Sequence, residues 1–123
     1  MPDEELPEDV RELVRRYIHS VAQLEALLFF HRWPDESCEV ETLAARLYAG
    51  KAEMANALAS LKRDGFLRSD GEIYTFSPQG ALRPVVDSLA RAYSRHLIPI
   101  TNIIHSKPRR IQEFSDAFRI RKD

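Results

Sequence analysis

Residues 42–76 carry two short helical patterns followed by a hairpin pattern. The first apolar run ends at Gly50, and the second, with three- and four-residue spacing, ends at Gly65. The two runs consist of Leu43, Ala44 and Leu47, and of Met54, Leu58 and Leu61. Two β-rich pieces, 66–67 and 73–76, then flank Asp70-Gly71, a pair favoured in two-residue hairpin turns. The order helix, tight turn, helix and hairpin predicts a winged helix-turn-helix.

The elements before this stretch are also predicted to be helical. Pro7 suits the first position of an amino-terminal helix, after an acidic tail over residues 1–6. Ser20 and Gln23 form a capping-box pattern, which predicts a second helix from Val21 to about Arg32, either separate from the first or continuous with it. Residues 38–40 are predicted as a first short strand. Helices over 43–48 and 51–64 follow, as the positioning and recognition helices.

After the hairpin, the chain predicts a long helical arm. Ser77-Pro78 is typical of a helix start, and apolar positions continue with heptad-like spacing to Lys107. Pro99 interrupts this pattern, so a bent arm or a helical hairpin fits as well as one continuous helix. A last amphipathic helix is predicted around residues 111–118. The seam predicted to pair two chains consists of Leu82, Val86, Leu89, Tyr93, His96, Ile100 and Ile103.

The predicted fold class is therefore mainly α with a small β-hairpin wing, a winged helix-turn-helix plus a long carboxy-terminal dimerisation arm. Its segments are an acidic amino-terminal helix and tail (1–19), a winged helix-turn-helix (20–77) and the helical arm with a basic end (78–123). The stretch from about residue 20 to 76 resembles the MarR-like winged helix-turn-helix regulators of bacteria. That resemblance implies a homodimeric transcriptional regulator that binds double-stranded DNA.

Charge is distributed unevenly along a chain whose net charge is only −1. Residues 1–41 carry −7, residues 42–81 carry +1 and residues 82–123 carry +5. This asymmetry indicates an anionic partner for the basic part or self-association of unlike ends, and simple solvated helix faces explain it equally well.

The candidate DNA contacts follow from the outward side of the second helix and from the wing. Asn56 suits a bidentate contact to adenine, and Lys51 suits guanine or phosphate. The remaining predicted contacts are Lys62, Arg63 and Arg68. Alanines, Glu53 and an acidic wing turn depart from the usual basic pattern of such faces. The alternative function is therefore a winged-helix module that binds a protein partner and does not recognise DNA sequence.

No pattern in the chain indicates catalysis, a cofactor or a metal site. The four histidines lack metal-ligand spacing, and there is no nucleophile elbow, phosphate loop or dinucleotide fingerprint. The single cysteine, Cys38, lies among carboxylates that raise a thiol pKa, which disfavours a redox switch. The aromatic residues either pack in the core or line a small-molecule pocket. We expect a cytoplasmic protein without a membrane segment.

Overall fold

The computed structural model describes residues 6–106, which form six helices and three short strands. In chain order these are α1 (Glu8–Tyr17), α2 (Val21–Arg32), β1 (Ser37–Cys38), α3 (Val40–Leu47), α4 (Lys51–Arg63), β2 (Leu67–Asp70), β3 (Ile73–Phe76), α5 (Leu82–Tyr93) and α6 (Leu97–Ser106). The chain is thus mainly helical with a small sheet, as predicted. The helix predicted around residues 111–118, and the basic end beyond it, lie outside the described residues.

The three strands form one antiparallel sheet in the order β1-β3-β2, an arrangement compatible with a winged helix. β1 spans residues 37–38 and not the predicted 38–40, because Glu39 is the N-cap of α3 and Val40 its first residue. Asp70 pairs with Ile73, so the hairpin turn is Gly71-Glu72 and not the predicted Asp70-Gly71. Gly71 has a φ of 67°, a conformation that a residue without a Cβ adopts at no steric cost.

The core is organised around α2. Leu24, Leu27 and Phe30 are completely buried, and α2 packs against α3, α4, α5 and β3. On α4 the predicted inward residues, Met54, Leu58 and Leu61, are also completely buried, which confirms the helical period of that stretch. All three predicted segments contribute described residues to one continuous apolar cluster.

The Gln23 side chain stabilises the junction between α1 and α2. The backbone N–H of Gln23 donates to Ser20 Oγ at 3.1 Å, which is the predicted cap. The Gln23 side chain accepts from the N–H of His19 at 2.9 Å and donates to the carbonyl of Tyr17 at 2.7 Å. With this side chain only 3% exposed, its bonds satisfy backbone groups at the end of one helix and the start of the next.

The predicted helix start at Ser77-Pro78 is wrong. The N–H of Ser77 donates to the carbonyl of Phe66, and the N–H of Gln79 donates to the carbonyl of Gly65, so this segment continues alongside the start of the hairpin. Gly80 has a positive φ of 51°, and α5 begins only at Leu82.

The single long arm is replaced by two helices. The chain leaves helical geometry around residues 94–96, between α5 and α6. Pro99 is the third residue of α6, where its missing N–H costs no helical bond, and it does not kink a longer helix. Both α5 and α6 fold back against α1.

The predicted intermolecular seam faces the chain's own core, which corrects the sequence-based prediction. Val86, Leu89 and Ile100 are completely buried within one protomer. The other four members, Leu82, Tyr93, His96 and Ile103, are partly buried. A heptad-like pattern marks a helix side that is buried, and it does not distinguish burial within a chain from burial between chains.

The pair Ile100 and Asn102 tests this packing, because both lie on α6 and only the former is buried. We expect Ile100→Ala to lower the free energy of unfolding by about 3 kcal/mol through lost burial and a residual cavity. Asn102 is exposed, so Asn102→Ala should not lower the free energy of unfolding. Urea denaturation of both variants measures the difference, and equal effects would contradict the fold-back of α6.

Candidate nucleic-acid interface

α4 presents a long, exposed side made of small and polar residues. It starts after Gly50, whose φ of −66° and ψ of 148° are extended, and it runs for 13 residues. Its exposed residues are Lys51, Ala52, Glu53, Asn56, Ala59, Lys62 and Arg63. None of them is an apolar residue larger than alanine. Ala52 and Ala59 leave the helix backbone accessible between longer polar side chains.

Asn56 and Arg63 lie together on one flank of α4. They line a polar cleft of about 450 Å³ between α4 and the junction of α1 with α2. The other residues that line this cleft are His19, Ser20, Gln23, Glu53, Ala57 and Ser60. Arg63 also donates two hydrogen bonds to Asp64, from Nε to Oδ1 at 3.3 Å and from Nη2 to Oδ2 at 3.4 Å. The Arg63 side chain is 66% exposed and that of Asp64 is 17% exposed, so the guanidinium stays accessible to solvent.

Lys51 lies on the other flank, among carboxylates. Its Nζ donates to Glu41 Oε2 at 3.0 Å, and both side chains are largely exposed. This ion pair connects the start of α4 to α3. A cleft of about 320 Å³ between α3, α4 and the wing is lined by Lys51 together with Glu39, Val40, Glu41, Ala55, Gly71, Glu72 and Tyr74. The structure therefore places Lys51 apart from Asn56, in surroundings that oppose phosphate.

The last two predicted contacts, Lys62 and Arg68, are exposed. Lys62 belongs to the final turn of α4, and Arg68 pairs with Thr75 on the wing strands. Neither forms an ion pair with another residue in the 6–106 range. Both cations are thus available to an anionic partner.

The winged-helix segment, residues 20–77, is acidic as a whole. It contains six basic and nine acidic residues, a net charge of −3. The acids gather at the wing tip and along the Glu39–Glu41 side, whereas Lys62, Arg63 and Arg68 belong to the end of α4 and to β2. Any contact with DNA through this segment must therefore rely on local cations and not on a general positive field.

Tyr48 was predicted as the last residue of the positioning helix and not as a DNA contact, and it occupies the turn between α3 and α4. Its φ of 57° and ψ of 42° are left-handed, and it is the one non-glycine residue with positive φ in the described part of the chain. Its side chain is 96% exposed. The sequence indicated Gly50 as the helix terminator, so nothing in the pattern pointed to Tyr48.

Cys38 is an internal thiol of β1, only 4% exposed. Burial is the main cause that raises the pKa of Cys38; the Glu36 carboxylate adds to the rise, and the Arg46 guanidinium opposes it. The predicted direction is therefore right, but neighbouring charge is the lesser cause. A raised pKa leaves less reactive thiolate at neutral pH.

The aromatic residues divide between core and surface. Phe30 and Phe66 are completely buried, whereas Phe29, Trp33 and Tyr93 line an open cleft of about 260 Å³ with Glu25, Leu28, Arg32 and Leu47. Arg32 lies over the Trp33 ring at 5.1 Å, and Arg46 lies over the Phe29 ring at 5.5 Å.

No family model, curated protein or solved structure matches the chain, so its function is inferred from its own residues. Within residues 6–106, no cluster of three or more His, Cys, Asp or Glu residues is arranged to hold a metal ion. No helix in that range has the length and apolar character needed to cross a membrane.

Cys38 provides a test of the β1 environment. Alkylation of the native protein at pH 8 should be at least about tenfold slower than alkylation in urea, because burial and a raised pKa both suppress the thiolate. The alkylation rate of the native protein should keep rising with pH beyond the range in which the alkylation rate of the unfolded protein has become constant. Stopped-time mass spectrometry measures both rates, and equal rates would contradict the buried position.

Proposed function

We propose that the protein is a DNA-binding transcriptional regulator that uses α4 as its recognition helix and the β2–β3 hairpin as its wing. The observation that carries this proposal is the exposed side of α4, which offers Asn56 and cations among alanines. A protein interface usually centres on large aromatic or aliphatic anchors, and this side has none. Alanine methyl groups instead suit close contact with base edges and thymine methyls in a major groove.

The proposed contacts divide by role. Asn56 reads a base edge, and Arg63, on the same flank of α4, holds a nearby phosphate. Lys62 and Arg68 add phosphate contacts from the end of α4 and from β2. Lys51 is the weakest of the five predicted contacts, because it is already paired with Glu41 and shares its cleft with Glu39 and Glu72.

A winged-helix module for a protein partner is the second candidate function. The observation that favours it is the cleft between α3, α4 and the wing, where three carboxylates and Tyr74 accompany a single lysine. A basic protein segment would complement this cleft, whereas DNA phosphate would be repelled from it.

We further propose that the protein acts as a homodimer, because a two-fold symmetric DNA site is read by a two-fold symmetric dimer. The seam predicted from the sequence is buried within the protomer, so other residues must form the dimer contact. Leu97 and Ile98, at the start of α6, are 43% and 65% exposed and supply an apolar surface outside the winged-helix segment.

Salt and substitution together test DNA binding. A fragment recovered from a genomic library should bind with an affinity that falls steeply as salt rises. Lys62→Gln should weaken binding to all sequences and reduce the salt slope by about 1 per protomer. Asn56→Ala should cost about 1–3 kcal/mol on the recovered sequence only. Fluorescence anisotropy over a salt series measures these changes.

The matched control is Arg15→Gln, which removes a cation from α1, where Arg15 pairs with Glu12. It should leave DNA affinity unchanged. The protein-interaction function makes a different prediction. No DNA fragment would be recovered at physiological salt, and the protein would instead bind a basic peptide. Glu41→Gln and Glu72→Gln would abolish that binding.

Sedimentation velocity tests the homodimer. The wild-type protein should sediment as a dimer, and Ile98→Asp should shift it to the monomer, because a charge would be buried in an apolar contact. Circular dichroism should show unchanged helix content, since Ile98 lies at the surface of the protomer. A wild-type monomer at concentrations of about 100 μM would refute the dimer.

A further inference from the structure

The turn between α3 and α4 has an unusual residue at its left-handed position. The N–H of Ala49 donates to the carbonyl of Ala44 at 2.9 Å, and the N–H of Tyr48 donates to the carbonyl of Ala45 at 3.4 Å. This pair of bonds is a Schellman motif, whose left-handed residue is usually glycine. Here that residue is Tyr48, although Gly50 lies only two residues away. A tyrosine Cβ makes this conformation less favourable than it would be for glycine.

The Tyr48 side chain does not compensate for this conformation inside the fold. It is 96% exposed, the largest value among the exposed large apolar residues of the described chain. No ring contact or side-chain hydrogen bond involves it among residues 6–106. Both the backbone and the exposed ring therefore favour a smaller residue on grounds of stability alone. Strained residues of this kind concentrate at functional sites.

We infer that the Tyr48 hydroxyl is a contact to the phosphate backbone of DNA, made from the turn that leads into the recognition helix. The inference rests on the proposed DNA-binding function and adds to it a residue outside α4 and the wing. Tyrosine hydroxyls donate to phosphate oxygens in protein–DNA interfaces, where they fix the position of the protein on the duplex. Tyr48 stands three residues before Lys51, the first residue of α4.

The surroundings of Tyr48 favour a nucleic acid over a protein surface as its partner. An aromatic anchor of a protein interface normally lies within a ring of apolar contacts that exclude water. The exposed residues that flank Tyr48 along the chain are instead Ala45, Arg46, Gly50 and Lys51. Arg46 pairs with Glu36 at 3.7 Å and Lys51 pairs with Glu41 at 3.0 Å, so these neighbours are small or charged and form no apolar ring around the tyrosine. Tyr48 therefore has the surroundings of a polar contact and not those of an apolar anchor.

Two variants separate the hydroxyl from the backbone. Tyr48→Gly removes the Cβ from the left-handed position, and we expect its midpoint of thermal unfolding to rise by about 2–4 °C. Tyr48→Phe keeps the Cβ and the ring, so its midpoint should equal that of the wild type. Both variants should lose about tenfold in DNA affinity, the effect of one hydrogen bond to a charged group.

The salt series provides a second readout. Because the hydroxyl is uncharged, the slope of affinity against salt should stay at the wild-type value in both variants, unlike in Lys62→Gln. Tyr93→Phe is the matched control, since it deletes a hydroxyl from α5, outside the winged-helix segment, and should leave DNA affinity unchanged.

The outcomes distinguish this inference from the function on which it rests. Wild-type protein that binds DNA, with Tyr48→Phe of equal affinity, would overturn the hydroxyl contact and leave the proposed function intact. Wild-type protein that binds no DNA fragment would overturn both. A higher unfolding midpoint in Tyr48→Gly together with weaker binding in both variants would establish that Tyr48 is retained for binding at the expense of stability.

Discussion

The burial of α2 on several sides is the constraint on which the rest of the structure depends. Leu24 and Leu27 are completely buried, while Leu28 and Phe29 pack against the same cluster from partly exposed positions. A helix that is apolar around most of its circumference needs neighbours on more than one side. In this chain α3 and α4 cover one part of α2 and α5 covers another, with β3 beside them. The winged-helix segment and the carboxy-terminal helices are therefore parts of one folded body.

A junction of three elements shows how closely these parts are joined. His31 Nε2 of α2 lies 2.8 Å from Asp87 Oδ1 of α5. The His31 ring meets the Phe76 ring of β3 edge to face, with centroids 6.4 Å apart, and Arg83 of α5 lies over the same Phe76 ring at 5.5 Å. Movement of α5 relative to α2 would break these contacts and disturb the base of the wing.

The electrostatics of the winged-helix segment limit how it can meet DNA. One flank of α4 faces the carboxylates of Glu39, Glu41 and Glu72, and the other carries Asn56 and Arg63. The first flank would repel phosphate, so in the proposed function a duplex would lie asymmetrically across α4. The acidic flank would also oppose nonspecific binding, because nonspecific affinity comes almost entirely from phosphate contacts. Specific contacts such as that of Asn56 would then carry a larger share of the affinity.

The sequence by itself determined the local elements whose signals are local. The capping pair Ser20 and Gln23 located the start of α2, and the spacing of Met54, Leu58 and Leu61 defined the buried side of α4, because caps and helical periodicity act within a few residues. Only the tertiary structure decided what each apolar stripe packs against. The seam that includes Val86 and Ile100 turned inward, since α1 offered it an apolar surface in the same chain. No helix starts at Ser77-Pro78, because the N–H groups of Ser77 and Gln79 donate to the carbonyls of Phe66 and Gly65. The left-handed Tyr48 and the pairing of Lys51 with Glu41 likewise depend on where α3 ends relative to α4, which no spacing along the chain specifies.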